Sequence, residues 1–156
     1  MKKILSILFL LNIVLIGCSK DNSIAVNYSN FKITEVSISK IPFTDKNGVG
    51  WDTSDGPDVF YNMEDEKNNI LANGESSRYS DVKLASLPLT WTYSQAYQIT
   101  NLDFTHYVTI YDYDSLSAND RIGYVGFTMS EHKSGYPTTI TKSFESVTVT
   151  IKGVWY

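Results

Sequence analysis

Residues 147–156 read Val-Thr-Val-Thr-Ile-Lys-Gly-Val-Trp-Tyr. Successive side chains of a β-strand point to opposite faces. Val147, Val149, Ile151, Gly153 and Trp155 therefore share one side, and Thr148, Thr150, Lys152, Val154 and Tyr156 share the other. An apolar face backed by a largely polar one is the habit of antiparallel sheets, which cover a core on one side and meet water on the other. Upstream, Phe104, His106, Val108 and Ile110 alternate in the same way against Thr105, Tyr107, Thr109 and Tyr111. Val59-Phe60-Tyr61 and Tyr124 to Met129 read as two further strands. Around Ile33 and Val36 the apolar parity slips by one, which predicts a bulge in the first strand. Turn-forming clusters separate the runs: Asp45-Lys46-Asn47-Gly48, Asn73-Gly74 and Ser134-Gly135-Tyr136-Pro137. No helical period is sustained from Phe31 onward. About seven or eight short strands in this arrangement predict an all-β antiparallel sandwich.

The amino end carries a different signal. Lys2 and Lys3 precede Ile4 to Ile16, an uncharged apolar run that suits a signal peptide and is too short to span a bilayer as a helix. Leu15-Ile16-Gly17-Cys18 follows, and it resembles the lipobox of bacterial lipoproteins. That resemblance implies cleavage before Cys18 and acylation of the cysteine, palmitate included. Two or more acyl chains give stable anchoring. The expected division is a signal peptide over 1–17, a lipidated cysteine and tether over 18–30, and one sandwich domain over 31–156. Ser19-Lys20-Asp21 resembles a tag for display outside the outer membrane, so the expected location is the cell envelope, at the outer membrane and surface-exposed. Within the tether, Ile24, Val26 and Tyr28 alternate and leave a short edge strand open.

Cys18 is the only cysteine, so once it is lipidated the body has neither a disulfide nor a zinc–thiolate site. Cleavage would also remove Lys2 and Lys3, making the chain two charges more negative than its full-length −4. So acidic a body has no basic stripe for phosphates and argues against nucleic acid as a partner.

The acidic residues are concentrated in two places. Trp51-Asp52-Thr53-Ser54-Asp55-Gly56-Pro57-Asp58 leads into the strand at Val59, and Tyr111-Asp112-Tyr113-Asp114-Ser115-Leu116-Ser117-Ala118-Asn119-Asp120 precedes Arg121-Ile122-Gly123. Asp112 and Asp114 are two apart at a strand end, which puts their carboxylates on one side. Asp120 can return to that pair across a loop of small polar residues. Converging carboxylates raise one another's pKa, and a hard cation relieves the repulsion. Flexible loops of carboxylate and carbonyl oxygens suit Ca²⁺ better than Mg²⁺.

These loops resemble the first and third calcium-binding loops of C2 domains, the third through its D-x-D-x5-D spacing and closing Ile-Gly. Leu89-Thr90-Trp91, followed by Tyr93 to Ile99, is similar to the tryptophan strand of the same family. The resemblance runs from about Phe31 to Met129 and implies an eight-stranded antiparallel C2-type β-sandwich. An aspartate loop directly after the first strand, with a long strand at the C-terminus, favours the second C2 topology. Carried over, the resemblance implies Asp52, Asp58, Asp112, Asp114 and Asp120 as Ca²⁺ ligands. Pro57 precedes Asp58 here, where the family usually has the aspartate before Pro-Tyr. Asp45, Asp55 and Asp81 read as ordinary turn residues. Trp51 and Leu116 lie at the loop tips. The resemblance implies lipid contact for Leu116, while Trp51 is either a tip contact or core for its own loop.

No enzyme is expected. His106 and His132 lie apart, there is no local signature of a nucleophile, and Asp112-Tyr113-Asp114 lacks the apolar cleft that glycoside hydrolysis needs for its protonated acid. The expected function is an envelope-anchored module that binds an anionic lipid, glycan or protein surface in a calcium-dependent way. The alternative is a structural or adhesin-type subunit in which calcium only rigidifies the loops.

Overall fold

A computed structural model describes residues 27–52 and 55–156; the signal segment 1–17, Cys18 and the tether through residue 26 lie outside the described residues. The chain forms eight strands: β1 (Phe31–Lys40), β2 (Val59–Asp65), β3 (Ile70–Asn73), β4 (Leu89–Ile99), β5 (Thr105–Asp112), β6 (Asp120–Thr128), β7 (Thr139–Phe144) and β8 (Val147–Trp155). They make two four-stranded antiparallel sheets, ordered β4-β1-β8-β7 and β3-β2-β5-β6. This is the expected eight-stranded sandwich, with the C-terminal strand inserted beside the first.

Alternation in β8 holds along its length: Val147, Val149, Ile151, Gly153 and Trp155 are buried and the intervening residues are not. They meet Ile33, Val36 and Ile38 of β1 and, from the facing sheet, Tyr61, Met63, Val108, Ile110, Val125 and Phe127 in one hydrophobic core. Gly153 is required where it stands, because a Cβ there would lie 2.4 Å from the Lys32 carbonyl oxygen and 2.5 Å from the Phe31 ring. The predicted bulge is present. Register shifts between Ile33 and Glu35 against both neighbours of β1, so two residues of β1 oppose one step of β8. Phe31 and Ile33 face inward before the bulge, and Val36 and Ile38 do so after it.

Three local readings change. β5 begins at Thr105, and Phe104 is half-exposed outside the strand, its carbonyl bonded to the His106 ring nitrogen at 3.0 Å. β6 runs longer than predicted and stops at Thr128, and Met129 opens a short 3₁₀ turn that buries it completely. Residues 27–30 are not a strand. The N–H groups of Ser29 and Asn30 donate to the Tyr156 carbonyl, and Tyr28 packs edge-on against Tyr136 at 5.0 Å, so this end of the tether is fastened to the body.

Candidate metal centre

Val59 opens β2 and Asp112 closes β5, and the two are register partners. Both aspartate loops therefore emerge side by side at one end of the sandwich. Asp112 is fully buried. Its Oδ1 accepts the Asp58 N–H at 2.7 Å, and the Tyr113 N–H donates to the Asp58 carbonyl at 2.9 Å. These two bonds tie the loops together. Asp114 donates its N–H to the Asn119 side-chain oxygen at 3.0 Å, closing the second loop on itself. Asp120 does return beside Asp112 as its register partner across β5 and β6, but its side chain is exposed and lines a neighbouring cleft.

A third segment, residues 78–82, completes the surround. Tyr79 and Val59 exchange two backbone hydrogen bonds, and the Val82 N–H donates to the Pro57 carbonyl at 3.0 Å. The Asp81 N–H donates to Asp58 Oδ1 at 2.9 Å, from a residue at φ +52°. Gly56 lies flat under this wall: a Cβ there would sit 2.0 Å from the Val82 carbonyl oxygen. Arg78 places Nε 3.7 Å from Asp58 Oδ2 and stacks its guanidinium over Tyr113 at 3.9 Å.

The electrostatics follow from burial and crowding. Burial pushes the Asp112 carboxyl up to about 6; the Asp58 N–H opposes this, and the charges of Asp52, Asp114 and Asp58 add to it. Asp52 is raised too, by burial first and then by Asp55, Asp58, Asp114 and Asp81. Asp52, Asp58, Asp112 and Asp114 thus share one electrostatic neighbourhood. Among the described residues, no three His, Cys, Asp or Glu side chains converge to metal-binding distance. The donor set is nonetheless all oxygen, and one atom of it lacks a partner among the described residues: Asp112 Oδ2 is buried with no hydrogen bond from them. A buried carboxylate oxygen without a donor fits a hard cation in both charge and chemistry.

Sequence reasoning took Asp81 and Asp55 for turn residues, yet both act electrostatically on Asp52. In the sequence Arg78 stands almost alone as a basic residue, and nothing there ties it to Asp58, because the 78–82 wall reaches Asp58 only through the tertiary path. Asp45 is a turn residue as read, its Oδ1 accepting the N–H groups of Asn47 and Val49, each at 2.8 Å. Of the two tip residues, Leu116 is fully exposed. Trp51 folds back, donating its indole N–H to the Pro42 carbonyl at 2.8 Å and packing against the core.

No family model matches the chain, and no curated protein sequence does. Among solved structures, it is similar to the crystal structure of a C2 domain protein from Ramazzottius varieornatus, at 15% identity and a TM-score of 0.42, over 82% of this chain and 90% of that one.

Proposed function

We propose that this chain is a calcium-binding module of C2 type, held at the bacterial cell envelope through a lipidated Cys18, that presents its loop tips to an anionic surface. The observation that carries the reading is Asp112 Oδ2, buried without a donor among the described residues while Asp52, Asp58 and Asp114 crowd the same region with negative charge. Asp52, Asp58, Asp112 and Asp114 would hold the ion, with Asp120 supplied from the start of β6. Bound Ca²⁺ supplies positive charge at a tip that is otherwise acidic. Leu116, wholly exposed beside these ligands, is the side chain available for insertion among lipid acyl chains. An extracellular module needs affinities of only ~10⁻⁴ to 10⁻³ M.

Thermal unfolding of the purified protein in EGTA and then in rising Ca²⁺ tests the metal. A ligand of the native state contributes RT ln(1 + [L]/Kd), about 2.7 kcal/mol at a hundred times Kd. A saturable rise in midpoint, weaker in Mg²⁺ and lost in Asp114→Asn, is the expected result. No rise through 10 mM Ca²⁺ removes the mechanism. Co-sedimentation with phosphatidylglycerol vesicles then tests the surface, with Leu116→Ser expected to weaken binding without lowering the unfolding midpoint. Release of Cys18→Ser from the membrane fraction checks the anchor.

A further inference from the structure

A second concavity lies beside the aspartate loops. A cleft of about 910 Å³ opens between the segment 42–51, the first residues of β6 and the β7–β8 turn, a size at the upper end of small-ligand sites. From this cleft we infer a binding site for a neutral oligosaccharide, bordering the metal loops at Asp120 but distinct from the buried Asp112 carboxylate and needing no bound calcium.

The lining selects the ligand. Tyr124 and Phe144 form a tilted aromatic pair with centroids 5.1 Å apart, and Phe144 is 43% exposed. Tyr124 is half-buried between Phe144, the edge of Tyr107 at 5.9 Å and the Arg121 guanidinium at 5.6 Å, so the exposed part of the Phe144 ring is the surface left for the C–H face of a pyranose. Lys46 and Arg121 supply two cations and Glu145 a carboxylate, with Asp120 on the border shared with the metal loops; none of the four is in a salt bridge among the described residues, and the Arg121 guanidinium lies over the Tyr124 ring at 5.6 Å. Asp45 also borders the cleft, but its oxygens are already occupied by Asn47 and Val49.

β6 is an edge strand, and among the described residues no hydrogen bond reaches the backbone of 121–124 from the side away from β5. The cleft therefore mixes free donors and free acceptors in balance beside an aromatic wall. An anionic ligand would meet Asp120 and Glu145, and a cationic one Lys46 and Arg121. A purely apolar ligand would have to strip water from all four charges. Sugar hydroxyls both donate and accept, and they carry no charge to be repelled.

The test is an NMR titration of the purified protein in EGTA with maltotriose, cellotriose, xylotriose, mannotriose, galactotriose and chitotriose. At least one is expected to bind with a millimolar or lower Kd and to shift Tyr124, Phe144 and Arg121. Tyr124→Ala and Phe144→Ala should each weaken it at least tenfold, and Arg121→Gln serves if either aromatic variant fails to fold. Asp112→Asn should bind the sugar as the wild type does, which separates this site from the metal. Absence of binding by the whole panel at 20 mM overturns the inference. So does binding that survives both aromatic substitutions, or shifts confined to the Asp112 loops.

Discussion

Replacing Asp112 by asparagine should make the protein more stable without calcium and less stable with it. The amide side chain keeps the shape and can still accept the Asp58 N–H through its oxygen. What it loses is the charge. In the folded chain burial raises the Asp112 carboxyl from 3.8 to about 6, so folding favours the protonated form. The stability linked to this group is present below pH 3.8 and is lost as the pH rises through 6. At pH 7.5 the ionised, uncoordinated carboxylate therefore costs about 3 kcal/mol, two pKa units at 1.36 kcal/mol each. Asparagine escapes that cost but gives up a charge-assisted hydrogen bond for a neutral one, a loss of about 1 kcal/mol. A net gain of about 1–2 kcal/mol remains, or ~4–8 °C in midpoint for a domain of this size.

The assay is thermal unfolding from pH 5 to 8, in EGTA and in 10 mM Ca²⁺. In EGTA the wild type should lose stability between pH 5 and 7, while Asp112→Asn stays nearly level through that window. In calcium the order should reverse, because the variant lacks the ligand that couples binding to folding. If Asp112→Asn is the less stable protein in EGTA at pH 7.5, and follows the same pH profile as the wild type, the reasoning about this carboxylate is wrong.

Gly56→Ala should destabilise the protein by roughly 2 kcal/mol or more, since its Cβ would collide with the Val82 carbonyl and force the first loop off the 78–82 wall; calcium titration should show weakened affinity in the same variant. Thr109→Val removes a donor to the buried Glu64 at 2.7 Å and should cost about 1–3 kcal/mol by urea unfolding, with calcium affinity unchanged because the site lies on the other face of the sheet.

Regular alternation made much of the sandwich legible. β8 could be assigned outright because Val147 to Trp155 never breaks step, and even the bulge near Thr34 left its mark as a slip in apolar parity. β3 and β7 left none. Ile70–Asn73 is short and mostly exposed, and Thr139–Phe144 buries only Ile140 fully, so neither has an apolar face for a pattern to reveal. The aspartate loops were visible because each is local, a few residues at a strand end. The wall that supports them was not, because Asp81 meets Asp58 across 23 residues of chain and Arg78 meets Tyr113 across a longer span. Trp51 illustrates the same limit: its place at a loop tip could be read, but not the turn of its indole towards Pro42.

Glu64 shows what this fold does with a buried carboxylate when its own side chains satisfy it. It is 5% exposed, and its two oxygens accept hydroxyl bonds from Thr109 at 2.7 Å and Tyr111 at 2.9 Å. The Tyr111 phenol is pushed up to about 12 by burial and by Glu64, so it remains a donor at any physiological pH. Asp112, on the same sheet and more deeply buried, receives among the described residues only the Asp58 N–H, and its second oxygen has no donor while the charges of Asp52, Asp114 and Asp58 act on it. Hydroxyl and amide donors occur throughout these loops, in Ser115, Ser117 and Asn119, and Asn119 is spent on the Asp114 backbone. Burying an unpaired charge is costly, and a single hydroxyl at Asp112 Oδ2 would relieve much of that cost. A sequence that satisfies Glu64 but gives Asp112 no second donor leaves that carboxylate to be neutralised by a proton or, on the proposed reading, by a bound cation.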